Sequence, residues 1–232
     1  MKEMSVMPQH ASDLHLHEQV LLLALRDKDG TIEMRADRYP LALGGAILAE
    51  LVLHGRLTVS EDDARKVGVA DHSPLRDPVL DEAFTILLKD GDSRPAIQWI
   101  DRFSSIDELK HKVARELCDR GILKDSLEKV LLLFSRKVYP ELDHQPEQEL
   151  IDSLRAAIFS EKTGLAPRNA LLVSLTHFAG ILDVHFESSD LKRRADRIAD
   201  LRDADLLQEM DSEALAIAVM AQRAVETVAD VR

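Results

Sequence analysis

Residues 170–186, ALLVSLTHFAGILDVHF, carry most of the argument about the fold of this chain. The run is dense in apolar side chains and long enough for about four helical turns. Leu171, Leu175, Phe178 and Leu182 mark one face, and Leu172, Ala179 and Phe186 widen it around much of the circumference. A helix that is apolar nearly all round must be buried on several sides. His177, Asp183 and His185 interrupt it too often for a membrane span. The stretch is therefore expected to be the central helix of a mainly helical domain.

The remainder of the chain can cover such a helix. At 232 residues it can withdraw roughly 70% of its unfolded surface from water, which permits one large core. Only 4% of residues are aromatic, so Leu, Ile, Val and Ala must supply most of the packing. The net charge of −12, from 30 Lys+Arg against 42 Asp+Glu, argues against nucleic acid and against undifferentiated affinity for an anionic membrane. Cys118 is the single cysteine, which rules out an internal disulfide and any multi-cysteine metal site. Residues 1–10 contain no apolar h-region, so no secretory signal is expected and a cytoplasmic location is.

Residues 1–12 read as a flexible arm and residues 13–232 as one domain. Asp13 is expected to cap a first helix carrying Leu16, Val20, Leu23 and Ala24. The DKDG at 27–30 signals a turn, residues 31–34 a short strand, and residues 43–53 a second helix after a bend at Tyr39 and Pro40. Two similar passages follow: residues 47–59 and 113–123 each run from an apolar helix through glycine into an extended segment. This punctuation matches winged-helix-like helix–hairpin units. Asp77 and Pro78 start another helix, residues 95–103 form the next, and Ser105 with Glu108 makes a capping box before Ile106, Leu109, Val113 and Leu117. Residues 130–134 are expected to be the return strand of a hairpin that turns at 124–129. Helices are expected over 147–159, around Leu191–Leu201, and finally from an Asp211 cap through Leu215, Val219 and Val225. The fold class is thus mainly α, a compact helical bundle with short β-hairpins.

No phosphate-binding glycine loop, HExxH or GxSxG occurs. His15 and His17 lie two apart, and on a helix they point apart, which favours structural or surface roles over a metal site. His177 is expected to be a buried imidazole satisfied by one hydrogen bond, and Cys118 a partly covered core residue. Asp183 and His185 make no defined acid–base arrangement with Ser174. No cofactor, metal site or catalytic residue is expected. Arg35, Arg38, Arg56 and the basic group at 192–197 can bind phosphate through charge-assisted hydrogen bonds, although solvated faces are the simpler reading.

Three blocks carry a family resemblance: LHLHEQVLLLALRDKDGTI at 14–32, LGGAILAELVLHGRL at 43–57 and LLVSLTHFAGILDVHF at 171–186. Together with the helix entering GIL at 117–123 and VLLLF before Tyr139 and Pro140, they make the chain resemble the Golgi phosphoprotein 3, or GPP34-like, family. The resemblance implies a compact helical peripheral protein. Its eukaryotic members bind phosphatidylinositol 4-phosphate, act as adaptors for membrane-resident glycosyltransferases, and use a projecting hairpin for oligomerisation and membrane contact. It therefore implies a non-enzymatic adaptor, with an anionic lipid headgroup or a membrane protein's cytoplasmic segment as partner, and a homo-oligomer. A soluble protein-interaction module without lipid contact is the alternative. Arg35 falls where the family's lipid site carries a tryptophan, Gly44 at a basic position, and Glu149 and Asp152 near two further basic positions. Arg35 and Arg38 are then the candidate lipid- or anion-binding residues. The loop at 160–169 looks shorter than the family's membrane-facing segment, and the departures imply a prokaryotic-type member.

Overall fold

The computed structural model describes residues 10–60, 65–91, 93–130, 134–160 and 166–202. At its centre lies α1 (Leu16–Ala24), every residue of which is buried. The sequence VLLLA leaves this helix no solvent face, so it must be surrounded. It packs against α2 (Tyr39–Leu53), buried from Ala42 through Val52, whose Pro40 occupies the first turn where its missing N–H costs nothing. A third helix, α4 (Ala96–Ser104), lies against α2 at Gly44. A Cβ on Gly44 would stand 2.4 Å from the Ile100 carbonyl oxygen, so the two backbones meet there directly. Trp99, Ile100 and Phe103 from α4 fill the surrounding core.

Both helix–hairpin units are present. The first runs from α2 through Gly55, at φ 66°, into β1 (Leu57–Val59), which pairs antiparallel with β2 (Val67–Val69) in the register Leu57↔Val69. Next comes α3 (Pro78–Asp90), capped by the Asp77 carboxylate, which accepts the Leu80 N–H at 2.8 Å. The second unit runs from α5 (Leu109–Asp119) through Gly121, at φ 79°, to β3 (Ser126–Val130), antiparallel to β4 (Phe134–Val138). The remaining helices are α6 (Gln145–Phe159), α7 (Pro167–Phe178), α8 (Leu182–His185), α9 (Ser188–Arg193) and α10 (Ala195–Arg202). Among the described residues no helix is long and apolar enough to cross a membrane.

Several expectations are corrected. The stretch 170–186 is two helices, because Gly180 takes φ 75° between α7 and α8 and ends the hydrogen-bond ladder. α7 is buried from Ala170 through Thr176, as expected, but His177 turns to solvent, whereas α1 is buried at every residue; there His15 rather than Asp13 is the N-cap and its N–H donates to Glu18 Oε2 at 2.9 Å. Ser105 and Glu108 form no capping box: Ser105 closes α4, and Glu108 precedes α5 in a left-handed conformation, φ 52°. The second hairpin is shifted along the chain, with Ser126–Val130 as its first strand and Val130 paired to Phe134; residues 131–133 of the expected return strand lie outside the described residues. Residues 31–34 contribute a single bridge, Leu25↔Ile32, instead of a strand. The basic group after α9 is not simply solvated: Arg194 and Arg197 donate to the carbonyls of Phe159 (3.1 Å) and Ala157 (3.3 Å) in the last turn of α6. The expected final helix lies outside the described residues, as do most of the arm and half of the 160–169 loop.

Candidate functional site

The link between α1 and α2 is held at both ends by glycines that admit no side chain. Its DKDG turn closes with the Gly30 N–H donating to Arg26 O and the Arg26 N–H to Thr31 O, both at 2.8 Å. Asp29 accepts the Thr31 hydroxyl (2.5 Å) and N–H (3.1 Å), and the hydroxyl above all holds its carboxyl below the usual range. Gly30, at φ 61°, abuts the Tyr139–Pro140 backbone: a Cβ would lie 2.1 Å from the Tyr139 carbonyl carbon. At the other end Gly180 abuts Arg35, whose carbonyl oxygen would be 2.2 Å from a Cβ. Between these pins the link presents Met34, which is 84% exposed.

Two concavities flank Met34 and Arg35. One, of about 570 Å³, is lined by Arg35, Arg155, Phe159, His185, Asp183 and Glu187 among others. In it Arg35 donates to the Asp183 carbonyl (2.7 Å), and the Arg155 guanidinium lies 5.1 Å from the centre of the Phe186 ring. Its acidic wall is partly engaged, Asp183 accepting the Ser188 hydroxyl (2.8 Å) and Asp190 pairing with Arg193. The other, of about 290 Å³, is lined by Arg26, Lys110, Arg136 and Lys137 with Ile32 and Met34. Arg26 pairs with Glu33 (3.1 Å) and Arg136 with Glu128 (2.7 Å), while Lys110 and Lys137 make no ion pair among the described residues. Burial, and then the Arg136 charge, pull the Lys110 pKa down. An otherwise acidic protein thus carries a local cluster of positive charge beside an exposed apolar tip.

Of the two candidate residues, Arg35 lines the larger groove, whereas Arg38 caps α2 and stacks over Phe178 at 5.4 Å, apart from the groove lining. Sequence reasoning missed Arg155. It stands one turn beyond Asp152 on α6, and that i, i+3 step was the available signal. Gly44 cannot stand in for a basic residue, since the α2–α4 contact leaves no room for one. Glu149 serves as a tether: Gln145, the Ala11 N–H (2.9 Å) and His10 hold its pKa down to about 2. Asp152 accepts from Gln148 (3.0 Å), and Arg56 pairs with Asp71 (2.7 Å).

The histidines exchange roles. His177 is exposed, and the imidazole held inside the fold is His185, whose Nε2–H donates to Leu23 O (2.8 Å) and whose pKa burial pushes down. Ser174 is buried and donates to Ala170 O (3.1 Å) along its own helix. Cys118 is half-buried, as expected, and burial pushes its thiol up to about 11. His15 and His17 do not point apart. Because His15 precedes the helix, its ring stacks on that of His17 with centroids 5.6 Å apart. His17 Nε2 meets Glu116 at 3.2 Å and His15 lies 3.5 Å from both Glu50 and Asp77.

A family model described as Golgi phosphoprotein 3 (GPP34) matches residues 16–225. The chain is 30% identical over 178 residues to vacuolar protein sorting-associated protein 74 of Eremothecium gossypii, covering 68% of this chain and 51% of that protein. It is 29% identical over 169 residues to the protein of the same name from Schizosaccharomyces pombe, covering 65% of this chain and 48% of the relative. The chain therefore spans about half the length of these curated relatives.

Proposed function

Starting from the fact that the chain belongs to the Golgi phosphoprotein 3 (GPP34) family, we propose that it is a peripheral adaptor whose 26–38 link meets an anionic membrane surface. The family is one of non-catalytic adaptors, and the relatives are named for protein sorting. The observation that carries the reading is the pinned link itself: it sets Met34 and Arg35 between two cation-bearing concavities. Met34 supplies an apolar contact, Lys110 and Lys137 supply charge that no ion pair among the described residues neutralises, and Arg35 with Arg155 supplies two guanidinium forks for a phosphate headgroup. The headgroup site is not the eukaryotic phosphatidylinositol 4-phosphate pocket carried over intact, since Gly44 packs on α4 and Glu149 is committed to Ala11. We read the chain as a prokaryotic-type member of the family, with residues 13–232 as its one domain.

Flotation with neutral vesicles and with vesicles containing a phosphoinositide tests this. Retention on the anionic vesicles alone is expected, weakened at least fivefold by Arg35→Glu and by Arg155→Glu, while equal retention on both vesicle types refutes it. The carboxylates facing Arg35 favour a second reading, in which the groove receives a mixed-charge cytoplasmic segment of a membrane protein. Binding of such a peptide, sensitive to Arg35→Glu, in the absence of any vesicle retention would select that reading.

A further inference from the structure

At the foot of the 26–38 link three carboxylates gather with almost nothing to neutralise them. The Glu141 N–H donates to Asp27 O at 3.0 Å, which brings the DKDG turn against the segment leading into α6. Asp27, Glu141 and His144 each place a potential ligand atom within 4.8 Å of the other two. The Glu141 side chain is only 2% exposed; its Oε2 meets His144 Nδ1, and its Oε1 is buried with no partner. Glu147, one turn on and buried, also has an unpartnered Oε1. Among the described residues no lysine or arginine pairs with any of these three carboxylates.

Buried orphan carboxylate oxygens need either protons or a cation. We propose that Asp27, Glu141 and His144 form a binding site for a divalent transition-metal cation of the Zn²⁺ or Mn²⁺ type, with Glu147 adding negative charge beside it. An imidazole among carboxylates suits these ions better than Ca²⁺ or Mg²⁺, which take oxygen donors. Asp27 and His144 are exposed, which leaves the ion a way in from solvent.

The other two histidine–carboxylate clusters lack this deficit. Glu50 is already forked by Arg168 (2.7 and 2.8 Å), and Asp77 and Glu116 each give one oxygen to a backbone N–H in the first turn of α3. An ion at Asp27 would join the link between α1 and α2 to the start of α6, two segments that are otherwise tied through backbone hydrogen bonds. The inference is independent of the membrane reading.

The test uses the full chain stripped with EDTA and titrated with ZnCl₂ against a chromogenic chelator, with melting curves in parallel. One Zn²⁺ per chain is expected, with the melting temperature raised by roughly 5 °C at a hundredfold excess over Kd. Asp27→Asn and His144→Ala change exposed side chains, and each is expected to weaken binding at least tenfold. His54→Ala, at another cluster, is expected to leave it unchanged. Absence of saturable binding overturns the site. So does equal affinity in Asp27→Asn and His144→Ala, or loss on His54→Ala instead. Equal stabilisation by CaCl₂ or MgCl₂ overturns the choice of ion.

Discussion

Replacing Gly180 by alanine adds one methyl group where two backbones touch, and the cost can be separated into parts. At φ 75° an L-residue is strained by roughly 1–2 kcal/mol, offset by about 0.4–1 kcal/mol because alanine has less freedom to lose on folding. Gly55→Ala (φ 66°) and Gly121→Ala (φ 79°) carry the same two effects with nothing within 4 Å of the new Cβ, so they serve as controls. Gly180→Ala has a further cost, because its Cβ would sit 2.2 Å from Arg35 O. That atom is backbone and cannot swing aside, so the link or α8 must shift by about 1 Å or more, a typical overpacking cost of about 1–3 kcal/mol. Urea unfolding is expected to place the controls about 1 kcal/mol below the parent protein and Gly180→Ala about 2–4 kcal/mol below it. The extra loss corresponds to a melting temperature several degrees lower. If Gly180→Ala is no less stable than Gly55→Ala and Gly121→Ala, the close approach of α7–α8 to Arg35 is wrong, and with it the pinning of the link.

Three other outcomes follow from the buried charges and the thiol. Glu50 has no exposed surface; burial alone would raise its pKa, but His15, His54 and Arg168 together hold it far below the usual carboxylate range. Its stabilisation is therefore complete above the unfolded value near ~4.3 and is lost as pH falls below it; Glu50→Gln should cost about 3–5 kcal/mol at pH 7 by urea unfolding and flatten that acid limb. His17 has the opposite sign: burial lowers its pKa, but Glu116 and Asp77 outweigh burial and leave it raised, so its contribution is full below ~6.5 and fades as pH rises through the higher native value. The stability difference between the parent and His17→Phe should shrink as pH rises above the ordinary histidine range, and a constant difference refutes the assignment. Cys118, with its thiol near 11, should react with iodoacetamide at pH 7.5 at least tenfold more slowly in the native protein than in urea.

The helical elements were readable wherever a local signal coincided with its tertiary use. Asp77 and Pro78 start α3 because a carboxylate cap and a first-turn proline are satisfied within the helix itself. The glycines at 55 and 121 end their helices for a similarly local reason, and so both helix–hairpin units were visible in advance. The errors fell where one residue type serves two local conformations. Ser105 and Glu108 have capping-box spacing, but the chain between them turns back on Ile106, which is buried, and Glu108 adopts a left-handed conformation. The spacing of His15 and His17 reads as two positions on one helix, whereas His15 stands outside the helix and its ring folds over its neighbour.

The candidate site was only partly legible. Arg35 could be named from the family resemblance, but Arg155 sits 120 residues away in sequence and comes to line the same groove only when α6 packs beside α8 and α9. The gathering of Asp27, Glu141 and Glu147 depends on a backbone hydrogen bond between distant segments, and no spacing in the chain announces it.

Hydrophobic period, caps and glycine punctuation are short-range properties, and they suffice for the helical class, for most helix boundaries and for the two hairpin units. Which helix ends up surrounded is different in kind. The apolar runs at 16–25 and 170–186 look alike as text, yet α1 is buried throughout while the second run breaks at Gly180, which packs on Arg35 O, and leaves His177 exposed. Such packing depends on the positions of segments far apart in the chain, so the burial of α1, the placing of Arg35 and Arg155 on one groove and the crowding of the carboxylates exist only once the helices have packed.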